Sequence, residues 1–149
     1  MRSSDFMKAI PDATRPHLPP GLRDFHWQAR AWLVQIHYGQ PAVHYEVWSM
    51  QYRNLLELGL HFEQRDPAAN GRLLAYFDAR AIAIKAELGE RVEVEPWDKG
   101  WAKVYETWPL EPFEPLFVEK VAGRLAQMIA YLQPLLDGFG ALPEIGGET

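Results

Sequence analysis

The chain has 149 residues, 48% hydrophobic and 23% charged, proportions that exclude a disordered or low-complexity protein and suit one domain with a real core. Twenty acidic against fifteen basic residues give a net charge of −5, so no overall positive field exists to hold nucleic acid or an anionic membrane. With no cysteine, the chain has no disulfide, thiolate nucleophile, iron–sulfur cluster or cysteine-type zinc site.

Residues 1–20 carry Pro11, Pro16, Pro19 and Pro20, which predict an irregular proline-rich arm. The arm has no apolar run of signal-peptide type, and a cytoplasmic location is expected. Residues 21–137 are expected to fold as one domain, with the glycine-rich 138–149 as a loose tail. The first predicted element is a helix from Leu22 to Tyr38, where Leu22, Phe25, Ala29, Trp32, Leu33 and Ile36 fall at helical spacing. Trp27, Ala31, Val34 and Tyr38 make its apolar arc unusually wide.

From Val43 the period changes to two. Val43 to Met50 and Leu55 to Glu63 read as strands, the second with Leu56, Leu58, Leu60 and Phe62 on one face. Only a tight loop fits between them, and the register that aligns both apolar faces sets His44 opposite His61, Glu46 opposite Gly59 and Trp48 opposite Glu57. Asp66 followed by Pro67 signals a second helix that ends at Gly89, its regular part delayed to Arg72 by Asn70-Gly71. Arg91 to Trp108 forms a second hairpin around Asp98-Lys99-Gly100, with Trp97 facing Trp101, Glu95 facing Lys103 and Val94 facing Val104. A last helix runs from Glu114 to Gln133, where Pro134 should end or kink it. Its longest weakly charged stretch falls well short of the ~20 residues needed to span a bilayer, and no membrane association is expected. The predicted fold is α+β in the order α-β-β-α-β-β-α, a largely antiparallel four-stranded sheet with helices on one face.

The segment from His44 to Leu136 resembles an uncharacterised prokaryotic α+β domain family often found C-terminal to predicted endonuclease-like modules. The resemblance rests on the strand Leu58 to Glu63 running into Asp66, Leu73-Leu74 and Phe77-Asp78 in the helix, Ala86-Glu87-Leu88-Gly89-Glu90, the strand Val92 to Trp97 with Asp98-Lys99, and the last long helix. It implies the same small α+β layer and an association with DNA processing, and supplies no catalytic residues. Here the proline-rich arm and the first predicted helix stand where the family usually carries its nuclease-like module.

The most chemical-looking group is His44, Glu46, His61 and Glu63, which the register gathers on one sheet face. Cross-strand neighbours lie about 5 Å apart at Cβ, close enough for two imidazoles and a carboxylate to share a zinc or iron ion. A solvated sheet face shows the same residue types, so the four are candidate ligands and no cofactor is expected. His26 and His37, about 16 Å apart along a helix, cannot share a ligand. Ser3, Ser4 and Ser49 lack a nucleophile elbow, and no phosphate-binding glycine loop opens a helix.

Trp48, Trp97, Trp101 and Tyr105 fall on the sheet face opposite the helices and are candidate interface residues, because a monomer rarely leaves such a patch in water. The expected function is therefore a non-catalytic protein-interaction or dimerisation module, a homodimer or the holder of a protein partner, without direct nucleic-acid contact. The alternatives are an accessory domain of a DNA-processing or restriction-type system, and a metal-dependent enzyme using the His/Glu face.

Overall fold

The computed structural model describes residues 1–140 and shows an α+β fold with four helices and one six-stranded sheet. The strands are β1 (His26–Ala29), β2 (Leu33–His37), β3 (Val43–Met50), β4 (Leu55–Phe62), β5 (Glu93–Trp97) and β6 (Trp101–Pro109). Every neighbouring pair is antiparallel, in the order β1-β2-β3-β4-β6-β5. Both predicted registers are found: His44 pairs with His61, Trp48 with Glu57, Glu95 with Lys103 and Trp97 with Trp101.

Period-two alternation places Val34 and Ile36, Tyr45 and Val47, Leu56, Leu58, Leu60 and Phe62, and Val104 on one face, all 1% exposed or less. Helices α1 (Ser3–Thr14), α2 (Pro67–Asp78), α3 (Ala81–Leu88) and α4 (Pro115–Gly140) cover that face. Burial of each such side chain contributes roughly 1.5–3 kcal/mol, which makes this layer the main source of stability. Tyr45 is anchored to α4 by donating its hydroxyl to Gln133 Oε1 at 3.0 Å. On the same face Arg124 of α4 grips Glu106 of β6 through two bonds of 2.7 and 2.8 Å.

The sheet has two more strands than the sequence reading expects. The predicted helix Leu22–Tyr38 is instead the β1–β2 hairpin, in which Trp27 pairs with Ile36 and Gln28 with Gln35. The wide apolar arc reflects a strand pair with apolar residues at both parities, and the turn Arg30 to Trp32 contains no Gly, Pro or Asn to announce it. The proline-rich segment is likewise not irregular. Ser3–Thr14 is helical, its Phe6, Met7 and Ile10 fully buried, and the Phe6 ring lies 4.6 Å from that of Phe113 and 5.4 Å from that of Phe117. Pro11 removes one donor from this helix, and burial of three large side chains outweighs the loss.

The second predicted helix starts as early as Pro67, with Asp66 Oδ1 accepting from the Ala68 N–H at 3.0 Å, and then divides in two. The Arg80 side chain takes the Tyr76 carbonyl at 2.8 Å while the Arg80 N–H turns to Phe77 O, so α2 stops and α3 begins at Ala81. The last helix passes through Pro134 to Gly140, with Leu132 buried and Leu135 and Leu136 packed against the core on either side of the lost bond. The predicted tail therefore begins inside α4, and its remainder, 141–149, lies outside the described residues.

Candidate metal centre

The face of the sheet turned away from the helices carries His44, Glu46 and Trp48 from β3, and Glu57, Gly59 and His61 from β4 with Glu63 just beyond it. The expectation of a solvated polar surface fails here: His44 is 3% exposed, Glu46 5%, Glu57 2% and His61 0%. The four candidate interface residues supply much of the cover. Trp97 meets the His61 ring edge-on at 5.5 Å, Trp48 and Trp101 pack on Trp97 at 6.3 and 5.4 Å, and Lys103 Nζ lies 4.1 Å from the Tyr105 ring centre and 4.6 Å from that of Trp97. All four are themselves partly exposed.

His44, Glu46, His61 and Glu63 each present one ligand-type atom, and these atoms lie within 4.8 Å of one another. His44 Nε2 is 3.2 Å from Glu46 Oε1 and 3.6 Å from Glu63 Oε2; His61 Nδ1 is 2.8 Å from Glu63 Oε2 and 3.9 Å from Glu46 Oε2. Metal–ligand bonds of 2.0–2.2 Å in a tetrahedron set ligand atoms about 3.3–3.6 Å apart; the two His44 separations are close to this spacing, while His61 Nδ1 lies nearer to Glu63 and farther from Glu46 than it.

Each ligand-type side chain except Glu63 is held from behind. The His44 Nδ1–H donates to the Pro41 carbonyl at 2.8 Å, which directs Nε2 into the cluster. The His61 Nε2–H donates to Glu57 Oε2 at 2.8 Å, which directs Nδ1 inward, and Lys103 Nζ donates to the other Glu57 oxygen at 2.6 Å. Glu46 Oε1 accepts from Gln35 Nε2 at 2.9 Å, and Gln35 Oε1 in turn accepts from Gln28 Nε2 at 2.8 Å. Both rings thus spend their outward nitrogen on a fixed acceptor, the arrangement that orients metal-ligating histidines.

Gly59 makes the His61–Glu57 contact possible. It separates the two residues on β4, and with no side chain there the Glu57 carboxylate and the imidazole meet above it. A Cβ at this position would strike the Val104 carbonyl oxygen and stand 2.6 Å from Tyr105 Cα, so β4 and β6 approach too closely for any other residue.

Burial alone would lower the pKa of both imidazoles, because it penalises the charged form. Hydrogen bonds to Glu46 and Glu63 overcome this at His44 and raise it to about 9. Those to Glu57 and Glu63 raise His61 to about 8. Burial pushes Glu63 upward, and the two imidazoles more than reverse this, taking it to about 2; His61 and Lys103 similarly hold Glu57 below the usual carboxylate range against burial. Formal carboxylates thus outnumber the one ammonium, that of Lys103, around the two imidazoles, an imbalance that imidazole protons or a divalent cation would offset.

The structure also joins two residues that the sequence reading separates. His26 and His37 are cross-strand partners with rings 5.2 Å apart, because the segment holding them is a hairpin. Glu57, Lys103 and Gln35 are the site residues that the sequence reading misses. Period two places Glu57 on the same face as His61, but only the β4–β6 pairing brings Lys103 beside them. No family model, characterised protein or solved structure matches this chain.

Proposed function

We propose that the chain is a metal-binding α+β module whose His44, Glu46, His61 and Glu63 hold one divalent transition ion, zinc or iron(II) in class. The observation that carries this reading is the committed outward nitrogen on each ring, which leaves His44 Nε2 and His61 Nδ1 facing the two carboxylates. Two nitrogens and two carboxylates suit zinc, iron(II) or cobalt(II) better than calcium or magnesium, which take oxygen donors. Four protein donors complete a tetrahedron, so the ion's role is to tie β3 to β4 rather than to activate a water.

The test is metal content together with thermal stability. Purified protein should carry or take up about one zinc per chain, and cobalt(II) should give the intense visible bands of a tetrahedral site. Chelation should lower Tm, and His61→Ala should abolish uptake. A metal-free protein whose Tm is indifferent to zinc, cobalt and iron(II) would refute the reading.

A second reading, self-association, is favoured by the β1 edge. This outermost strand is exposed and contains no proline or charged Lys or Glu to blunt it, and Trp27 on it is 41% exposed. Pairing β1 with β1 of a second copy would extend the sheet symmetrically. Sedimentation equilibrium of wild type and Trp27→Glu tests it: a wild-type monomer, or a dimer indifferent to the substitution, removes β1 as the contact.

A further inference from the structure

On the face turned away from the helices, Trp48, Trp97 and Tyr105 line a cleft of about 330 Å³ that reaches the β3–β4 turn. Arg53 from that turn and Arg91, two residues before β5, line it as well, and both are exposed. The charges around this cleft are unevenly paired. Both oxygens of Glu57 are taken, by His61 and by Lys103, which occupies the only lysine of the lining. Glu93 accepts from Lys85 Nζ at 3.3 Å, and Glu106 holds Arg124 through both of its oxygens. Every carboxylate of the lining therefore has a cation. The two guanidiniums have no carboxylate: among the described residues Arg53 makes no side-chain hydrogen bond or ion pair, and Arg91 makes one bond, to the uncharged Thr107 carbonyl. In a chain of net charge −5, two unneutralised positive charges thus line one aromatic-walled cleft.

We propose that this cleft binds a phosphate monoester carried on a flat aromatic ring, with the phosphate on Arg53 and Arg91 and the ring against Trp48, Trp97 and Tyr105. Guanidinium forks match phosphate oxygens two at a time, and a phosphate monoester carries about −1.5 to −2 charge near pH 7. That charge answers two free guanidiniums, where a carboxylate would answer one. Aromatic side chains hold a flat ring by offset or edge-on packing, so an aliphatic phosphate would leave this wall unused and an uncharged ring would leave the guanidiniums unused. The cleft lies at the small end of ligand sites, which run from roughly 300 to 1,000 Å³, and so suits one ring and one phosphate. None of the four metal ligands lines it, so the proposal does not rest on the metal reading.

The experiment is a titration of the full chain with phenyl phosphate, followed through the indole N–H signals in a two-dimensional NMR spectrum, with Trp48→Phe and Trp97→Phe assigning the two cleft indoles. Saturable shifts of both signals are expected at millimolar phenyl phosphate, with phenol, benzoate and inorganic phosphate each binding more weakly. Arg53→Met and Arg91→Met, both at exposed positions where folding should be unaffected, are each expected to weaken phenyl phosphate about 10-fold, the worth of one charge-assisted hydrogen bond, and to leave phenol unchanged. Adenosine monophosphate carries the same chemistry from a nucleotide, and its affinity relative to phenyl phosphate separates a nucleotide ligand from a simple aryl ester. The proposal is overturned by phenyl phosphate that moves neither signal, by affinity that survives both arginine substitutions, as phosphate bound at the metal centre would show, or by phenol, benzoate or inorganic phosphate binding as tightly as phenyl phosphate.

Discussion

Glu57 and His61 lie four residues apart on one strand, a span of about 13 Å in extended chain, yet their side chains meet at 2.8 Å. The contact depends on both leaning over Gly59, and it fixes which imidazole nitrogen faces the cluster. Glu57→Gln keeps the volume and removes the charge that holds the His61 Nε2–H. We expect zinc affinity to fall about 10- to 100-fold, as for other outer partners of metal-bound histidines, with one zinc still bound at saturation. Competition against a chromophoric chelator reads the change; equal affinities would detach Glu57 from the centre.

Gly59→Ala is expected to cost more than an ordinary strand substitution. Its Cβ would meet backbone atoms of β6, which cannot swing aside as a flexible side chain would. Separation of β4 from β6 at the middle of the sheet should lower unfolding free energy by about 2–4 kcal/mol, read from urea denaturation. A loss below about 0.5 kcal/mol would show that the two strands are not held at this distance.

The metal-free protein should show an inverted pH dependence on adding zinc. His44 and His61 keep their protons to about 9 and about 8, against 6.5 for an unperturbed imidazole. Their pKa values are higher in the folded state, so the stability they contribute is complete below 6.5 and disappears as pH rises through 8 and 9. Glu63 has the opposite sign: lowered to about 2 from 4.5, it stabilises the fold above 4.5 and ceases to do so as pH falls through 2. Metal-free Tm should therefore be highest between these ranges and drop by several degrees, on the order of 5 °C, toward pH 9.5. Zinc must displace the imidazole protons, so its stabilisation should grow over the same rise. Differential scanning calorimetry across pH decides this, and a flat metal-free profile from 6 to about 9.5 would contradict the proton-filled cluster.

The Arg124–Glu106 pair offers a check on the helix-to-sheet contact alone. Glu106 is 5% and Arg124 16% exposed at the side chain. Arg124→Met strands a buried carboxylate, and a loss of about 3–5 kcal/mol in chemical denaturation is expected. Arg124→Met with Glu106→Gln should recover much of that loss; no recovery would place the arginine's role in its other contacts, among them its bond to the Leu88 carbonyl.

The parts of this fold legible in the sequence are those where alternation meets a short turn. Leu56, Leu58, Leu60 and Phe62 fix one face of β4, and the tight loop before Leu55 leaves one register that keeps Tyr45 and Val47 on the same side. His44 and His61 come together by that reasoning alone. The β1–β2 hairpin escapes because Phe25, Ala29, Trp32, Leu33 and Ile36 satisfy a helical period, and Arg30, Ala31 and Trp32 carry no turn chemistry. The α1 helix escapes because Pro11, Pro16, Pro19 and Pro20 obscure the Phe6, Met7 and Ile10 spacing. Burial of the cluster was not legible because it depends on strand order: the pairing of β4 with β6 brings Lys103, Trp97 and Tyr105 over what would otherwise be an open face.

Because the four ligand-type residues, with Glu57 and Gly59, follow the alternation of two adjoining strands, their positions are written in the chain at strict intervals of two. On β3 they spell H-x-E at His44 and Glu46; on β4 and just past it they spell E-x-G-x-H-x-E from Glu57 to Glu63. The two strings together form a fingerprint that can be sought in other chains without any overall similarity. The glycine is its most discriminating letter: a chain with the four ligands and a bulkier residue at that place would have to hold its second histidine by some means other than a glutamate two steps further back.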